Sequence, residues 1–252
     1  MENLKVLKFG GGVLQNQRDI IRAADIINRN VATGTKVLAV VSAMDDTTDE
    51  LLAKVGDKQD PRSIAMLLST GEIQSAAYLA NRLVVEGAKA KCFTGQQAGI
   101  ITNDNFLDAD ILDIKTSSLT KHFQAGYDIA VVCGFQGLSE HGETTVLGRN
   151  GSDTTAFYLT DALSASSCTL YKDVDGIYNK NPKDNPDARL YRHLNYTEVF
   201  GCGIKGVICD KALALCEKMF SARDIELIIR NIDLSHHWHT TIGRKSTEFY
   251  QR

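Results

Sequence analysis

The chain has 252 residues, of which 43% are hydrophobic and 23% charged, with a formal net charge of −3. That length and composition suit a soluble globular protein of one large or two small domains with a sizeable core. The near-neutral charge gives no electrostatic drive toward nucleic acid or membrane surfaces, and no apolar run reaches the roughly 18 residues of a membrane span.

Apolar, strand-like runs alternate with helical patterns along the chain. Residues 5–9 read as a strand that runs into Gly10, Gly11 and Gly12. Residues 17–28 place Ile20, Ile21, Ala24 and Ile27 at helical spacing. Residues 37–41 are continuously apolar, as in a strand buried on both faces. A long helix is expected over 70–86, stopped by Gly87, then a short strand at 90–93 and a helix over 111–125. A buried strand at 129–133 is followed by a helix over 152–163 and a strand at 168–171. Residues 195–200 and 210–220 read as helical, and 225–231 as a late strand. This rhythm predicts an α/β protein with a largely parallel sheet.

In such a sheet, ligands bind beyond the carboxyl ends of the strands. Loops at 10–12, 42–48, 134–137 and 173–178 follow predicted strands, and a glycine-bearing loop at 148–153 opens a helix. Glycine lets the backbone approach a ligand, and exposed amides bind anions. Lys8, just short of the glycine triplet, adds a mobile positive charge. Together these fit a nucleoside triphosphate, with Lys8 neutralising a phosphoryl group in flight. Neither the G-x-x-x-x-G-K-[ST] loop nor the G-x-G-x-x-G fingerprint occurs, which excludes the P-loop and disfavours the dinucleotide fold.

Other residues read more plainly. Cys92, Cys133, Cys168, Cys202, Cys209 and Cys216 contain no C-x-x-C pair and are expected to be reduced thiols. The seven-residue spacing of Cys202, Cys209 and Cys216 fits one face of a helix better than a metal site. His236, His237 and His239 fit a surface or subunit-contact strand better than a metal site. Residues 1–12 show no secretory h-region or cleavage site, so a cytoplasmic protein is expected.

A set of segments, in order, resembles the amino acid kinase family and, within it, the aspartate kinases. They are Lys8-Phe9-Gly10-Gly11; Val41-Ser42-Ala43-Met44 with Thr47-Thr48-Asp49; Ser69-Thr70-Gly71-Glu72; Gly134-Phe135-Gln136-Gly137; Thr144-Thr145-Val146-Leu147-Gly148-Arg149-Asn150-Gly151-Ser152-Asp153; and Asp173-Val174-Asp175-Gly176-Ile177-Tyr178. The resemblance implies a three-layer α/β/α sandwich with a mainly parallel central sheet, the carbamate kinase-like fold. It implies one domain over 1–252, with an acceptor-binding lobe at about 1–147 and a nucleotide-binding lobe at about 148–252. It also implies ATP and Mg²⁺ as cofactors, a small amino acid or carboxylic acid as substrate, and a homodimer.

By position, Lys8 resembles the lysine that contacts the transferred phosphoryl group, and Asp153 the aspartate that orients it. The alternative for Asp153 is a carboxylate favoured by a helix N-terminus. Gly10, Gly11 and Ser42 fall on the phosphate side. Arg149 resembles the arginine that grips a substrate carboxylate. Glu72 resembles the acid that holds the substrate ammonium, the alternative being a solvated glutamate at a helix start. Thr48, Phe135 and Ser152 match further acceptor-pocket positions. Lys172, Asp173, Tyr178 and Lys183 lie where the family holds adenine, ribose and phosphates, although Lys183 also reads as a solvated loop lysine. No protein metal ligand is expected, since Mg²⁺ stays among phosphates and waters.

The chain departs from the family at several points. Gly12-Val13-Leu14 stands where the family has Thr-Ser-Val, with the loss of two hydroxyls. Residues 203–210 replace the usual Phe-Gly-Ala-Lys-Val-Leu-His-Pro, where Lys205 stands in for a nucleotide-contacting lysine about one position out of register. Asn150 replaces a more usual glycine. The insertion before Ser69 is short, and the regulatory ACT extension is missing, so feedback by lysine or threonine is not expected within this chain. The expected function is phosphorylation of a small amino acid's carboxylate, with L-aspartate as first choice. The alternatives are a pathway-specific kinase of another small acid and a non-catalytic binding protein. A UMP or carbamate kinase is disfavoured by Glu72 with Thr48.

Overall fold

A computed structural model describes residues 3–56, 60–199, 207–208, 210–233, 235 and 237–250. In chain order its elements are β1 (Leu4–Phe9), a 3-10 turn (Gly11–Val13), α1 (Gln17–Ala32), β2 (Lys36–Val41), α2 (Thr47–Ala53), α3 (Pro61–Val85), β3 (Ala90–Phe93) and α4 (Gly95–Ala98). Next come β4 (Ile100–Thr102), β5 (Ile111–Ile114), α5 (Ser117–Gln124), β6 (Ile129–Cys133), β7 (Gln136–Ser139), β8 (Thr144–Val146) and α6 (Gly151–Ala162). The chain closes with β9 (Ser167–Lys172), β10 (Tyr191–Asn195), α7 (Asp210–Phe220), β11 (Glu226–Asn231), β12 (His239–Gly243) and β13 (Glu248–Phe249).

The main sheet runs β13-β10-β12-β11-β9-β1-β2-β6-β3. From β11 to β3 every neighbouring pair is parallel. β11 meets β12, and β10 meets β13, in antiparallel pairs. The parallel strands are apolar on both faces, and their alternation divides the core in two. Val6, Leu38, Val40, Ala130 and Val132 pack on one side with Phe123, Phe157 and Phe220, from α5, α6 and α7. Leu7, Phe9, Val37, Ala39, Val131 and Cys133 pack on the other with residues of α1 and α3. The fold is therefore the expected α/β/α sandwich, buried on both faces as parallel sheets require. A four-stranded sheet, β5-β4-β7-β8, stands beside it.

Two predicted helices are corrected. Residues 111–125 split into β5 and α5, because Ile111 and Ile114 pair with β4 before the chain turns into the helix. Residues 195–199 are not helical at their start: Asn195 ends β10, and its side chain accepts from the Thr197 amide and hydroxyl, a local turn that competes with a helix. Residue 200 lies outside the described residues. The helix expected from residue 70 begins nine positions earlier, where Asp60 caps it and Pro61 occupies the first turn.

Candidate active site

Strand parity sets up the charges. Leu4 and Val6 face the α6 side of the sheet, so Lys8, two residues on, faces it too. On the adjacent strand β9, Cys168 and Leu170 face the same side, and Lys172 follows by the same period. Both lysines meet Asp153 in the first turn of α6. Lys8 Nζ lies 2.7 Å from Asp153 Oδ1 and Lys172 Nζ lies 3.1 Å from Oδ2. Asp153 is 1% exposed, and the carboxylate also gains from the helix N-terminus. Burial by itself would raise its pKa, but the two ammoniums outweigh that and hold it below the usual range. Burial is the largest influence on Lys8 and pushes its ammonium down, against the pull of Asp153.

The turn into α6 is built around left-handed backbone. Gly148 has φ +67° and Asn150 φ +61°. A Cβ on Gly148 would collide with Asp108. Asn150 replaces the family's glycine with the side chain that best tolerates this conformation, so that departure is conformationally mild. Nearby, Phe135 is also left-handed at φ +66°, and its amide donates to Thr155 Oγ1 of α6. Gly134 lets the β6 end approach α6, since a Cβ there would lie 2.7 Å from Ser152.

Within electrostatic reach of Lys8, Glu72 projects from the middle of α3 and is 2% exposed. Its Oε1 accepts from the Ala43 amide at 2.9 Å. Its Oε2 is buried without a partner among the described residues. Burial raises its carboxyl to about 7. A solvated helix-start glutamate is therefore excluded, and a buried unpartnered carboxylate oxygen at a cavity wall calls for a cation.

A cavity of about 450 Å³ joins these groups. Lys8, Gly11, Ser42, Thr48, Glu72, Phe135, Arg149 and Ser152 line it. Arg149 is exposed and makes no ion pair among the described residues. Gly10 sits beside Lys8, a Cβ there lying 3.3 Å from its Nζ. Asp173 and Lys183 are exposed, Tyr178 is half-buried, and none of the three borders this cavity. Lys205 lies outside the described residues, as do Cys202, Cys209 and His236. Cys133 and Cys168 are buried thiols pushed up to about 12 by burial. His239 opens β12, with His237 exposed just before it.

Asp45, and Asp49 of the Thr47-Thr48-Asp49 segment, were given no role from sequence, and both line the cavity. Asp45 has φ +45°, and its amide bonds Gly11 O at 3.3 Å, which ties the 42–48 loop to the glycine turn. The available signal was acidic residues in and just after the 42–48 loop that follows a buried strand. Sequence reasoning also gave Lys172 no link to Asp153. The Thr-Ser to Gly12-Val13 exchange touches the site less than expected. Val13 and Leu14 are buried in the core under α1, and a Cβ on Gly12 would meet nothing within 4 Å.

The chain matches the amino acid kinase family over residues 3–231. An aspartokinase of Bacillus sp. (strain MGA3) is 43% identical over 199 residues, which are 78% of this chain and 48% of that protein. The crystal structure of aspartate kinase from Synechocystis superposes with a TM-score of 0.80 at 33% identity, over 98% of this chain and 42% of that one. UMP kinase from Bacillus anthracis shares the fold with a TM-score of 0.68 at 17% identity, over 99% of both chains. The chain thus spans about half the length of the aspartokinase relatives that it matches. A family match over residues 3–231, carried on a sheet and glycine turn that bring Lys8 to Asp153, leads to one conclusion: this chain belongs to the amino acid kinase family.

Proposed function

We propose that the protein transfers the γ-phosphoryl group of ATP to a carboxylate of a small amino acid, most simply the side chain of L-aspartate, forming 4-phospho-L-aspartate and ADP. The observation that carries this reading is one cavity lined by Lys8, which Asp153 holds, together with Glu72 and Arg149. Because a UMP kinase shares the fold, the substrate argument rests on those side chains rather than on architecture. Aspartokinase relatives at 40–43% identity support it.

Two ammoniums against one carboxylate leave a net charge of 2 − 1 = +1 beside the glycine turn. That excess suits a polyphosphate and the charge that develops as the phosphoryl group moves. The acceptor carboxylate oxygen forms its bond to phosphorus as the bond to the β-phosphate oxygen breaks, and ADP leaves with the electron pair. No general base is required, since the acceptor is ionised at neutral pH. Arg149 grips the second carboxylate of the acceptor in a planar fork, and Glu72 receives its ammonium. Gly10, Gly11 and Ser42 serve the phosphates; Thr48, Phe135 and Ser152 shape the acceptor pocket.

Asp153 is occupied by two lysines, so it does not offer itself as a metal ligand. Mg²⁺ would neutralise phosphate charge while held mainly by phosphates and water, with Asp45 and Asp49 as the nearest exposed carboxylates of the cavity wall. Asp173, Tyr178 and Lys183 are assigned to the nucleotide, with an acceptor lobe at about 1–147 and a nucleotide lobe at about 148–252. A cytoplasmic homodimer completes the reading.

The test is ADP release with Mg-ATP and L-aspartate beside a panel of small amino and carboxylic acids, with hydroxylamine trapping of acyl phosphate. Aspartate-dependent turnover that falls by about 10²–10³ in Lys8→Ala while ATP still binds is the expected outcome. ATP binding without turnover on any acid would replace this reading with a non-catalytic one.

A further inference from the structure

Behind Arg149 lies a second hollow, of about 250 Å³, between the end of β8, the start of β5 and the helices α6 and α7. Ile111 and Leu147, 7% and 5% exposed, are part of its floor. Two exposed cations stand at its rim, Arg149 and Lys218, and neither forms an ion pair among the described residues. Asp110 also borders the hollow, and its carboxylate accepts from Asn103 Nδ2 at 3.3 Å. Arg149 alone, among the residues lining the two cavities, borders both.

We propose that this hollow binds a small monocarboxylate with an apolar body, and that its occupation draws Arg149 out of the acceptor cavity. Arg149 and Lys218 stand on one rim, where a planar fork and a point donor can meet the same carboxylate. The apolar floor takes a short hydrocarbon body, and the hollow is below the size usual for a drug-sized ligand or nucleotide. A planar guanidinium held between two left-handed residues, Gly148 and Asn150, can serve one carboxylate at a time. The two ligands therefore compete for Arg149, and linkage requires each to weaken the other by the same factor. The coupling part of this inference rests on the acceptor reading given above; the binding part does not.

Isovalerate is the probe. Acetate, which lacks the body, and isopentanol, which lacks the charge, are its controls. Calorimetric titration of the whole chain should show isovalerate binding and little from either control. Lys218→Ala removes one rim cation, and Ala214→Trp fills the hollow from an exposed position on α7. Each should weaken isovalerate binding roughly tenfold or more, with an unchanged melting temperature and unchanged basal turnover. In the wild type, saturating isovalerate should raise the acceptor KM about five- to 150-fold with kcat unchanged. Absence of isovalerate binding, or binding that survives both substitutions, overturns the site. Binding that leaves the acceptor KM unmoved overturns the competition for Arg149. If no acceptor is phosphorylated at all, the kinase reading fails, yet the titrations still decide whether the hollow is a site.

Discussion

Lys172 lies 3.1 Å from Oδ2 of Asp153, on the oxygen opposite the one that Lys8 holds. One buried carboxylate thus anchors two cations from adjacent strands. The arrangement is unequal: loss of either lysine leaves an ion pair, whereas loss of the carboxylate leaves two ammoniums facing each other.

That inequality predicts an order of stability. Asp153→Asn should cost about 3–5 kcal/mol, the range for removing one partner from a buried pair. Lys172→Met should cost markedly less, because Lys8 still satisfies Asp153 and the Lys172 side chain is itself 18% exposed. Urea unfolding of the two variants checks the order. On activity, Lys8→Ala should lower kcat by about 10²–10³, as for other charge-stabilising donors.

Glu72 carries a pH signature. Its folded pKa of about 7 lies above the ordinary 4.5, so the folded protein holds this proton more tightly than the unfolded chain. Stability contributed by the neutral form is present below pH 4.5 and is lost as pH rises toward 7. Acceptor binding runs the other way. An ammonium substrate needs the ionised form, so its KM should fall as pH rises through about 7. Glu72→Gln should raise the melting temperature at pH 8, flatten the KM profile and weaken acceptor binding. Thermal melts at two pH values and a kcat/KM profile test both arms.

Gly11 and Gly12 should respond oppositely. A Cβ on Gly11 would lie 2.8 Å from the Ala43 carbonyl, a backbone atom that cannot swing away. Gly11→Ala should therefore cost about 1–3 kcal/mol and displace the 42–48 loop. At Gly12 an added Cβ meets nothing within 4 Å, so Gly12→Ala should leave stability within about 0.5 kcal/mol. Denaturation curves and the KM for ATP measure the contrast.

Asn150 tests the turn that presents Arg149. Asn150→Gly should be close to neutral, while Asn150→Ala should cost about 1–2 kcal/mol for a left-handed alanine. The alanine variant should also lose acceptor affinity, seen as a higher KM at similar kcat.

The buried parallel strands were legible because each is a continuous apolar run ending at a loop, as at 37–41 and 129–133. β4, β7 and β8 were missed: three or four residues with polar neighbours carry too little periodicity. The helix expected across 111–125 failed because Ile111 and Ile114 share helical spacing with each other, while their strand pairing with β4 is a tertiary fact. In the site, Lys8, Glu72 and Arg149 stood out by motif. The link from Lys172 to Asp153 depends on the register of β1 against β9, which no single segment records.

That register makes length, rather than composition, the sensitive property of β1. Both faces of the strand are buried in apolar surroundings, so its Leu and Val residues could exchange sides at modest cost to the fold. A one-residue insertion or deletion before Lys8 would do that, and would carry the ammonium through the sheet to the α1 side. Conservative substitutions in this strand leave the charge in place, while a single-codon indel would keep a hydrophobic strand and strip the carboxylate of its first cation.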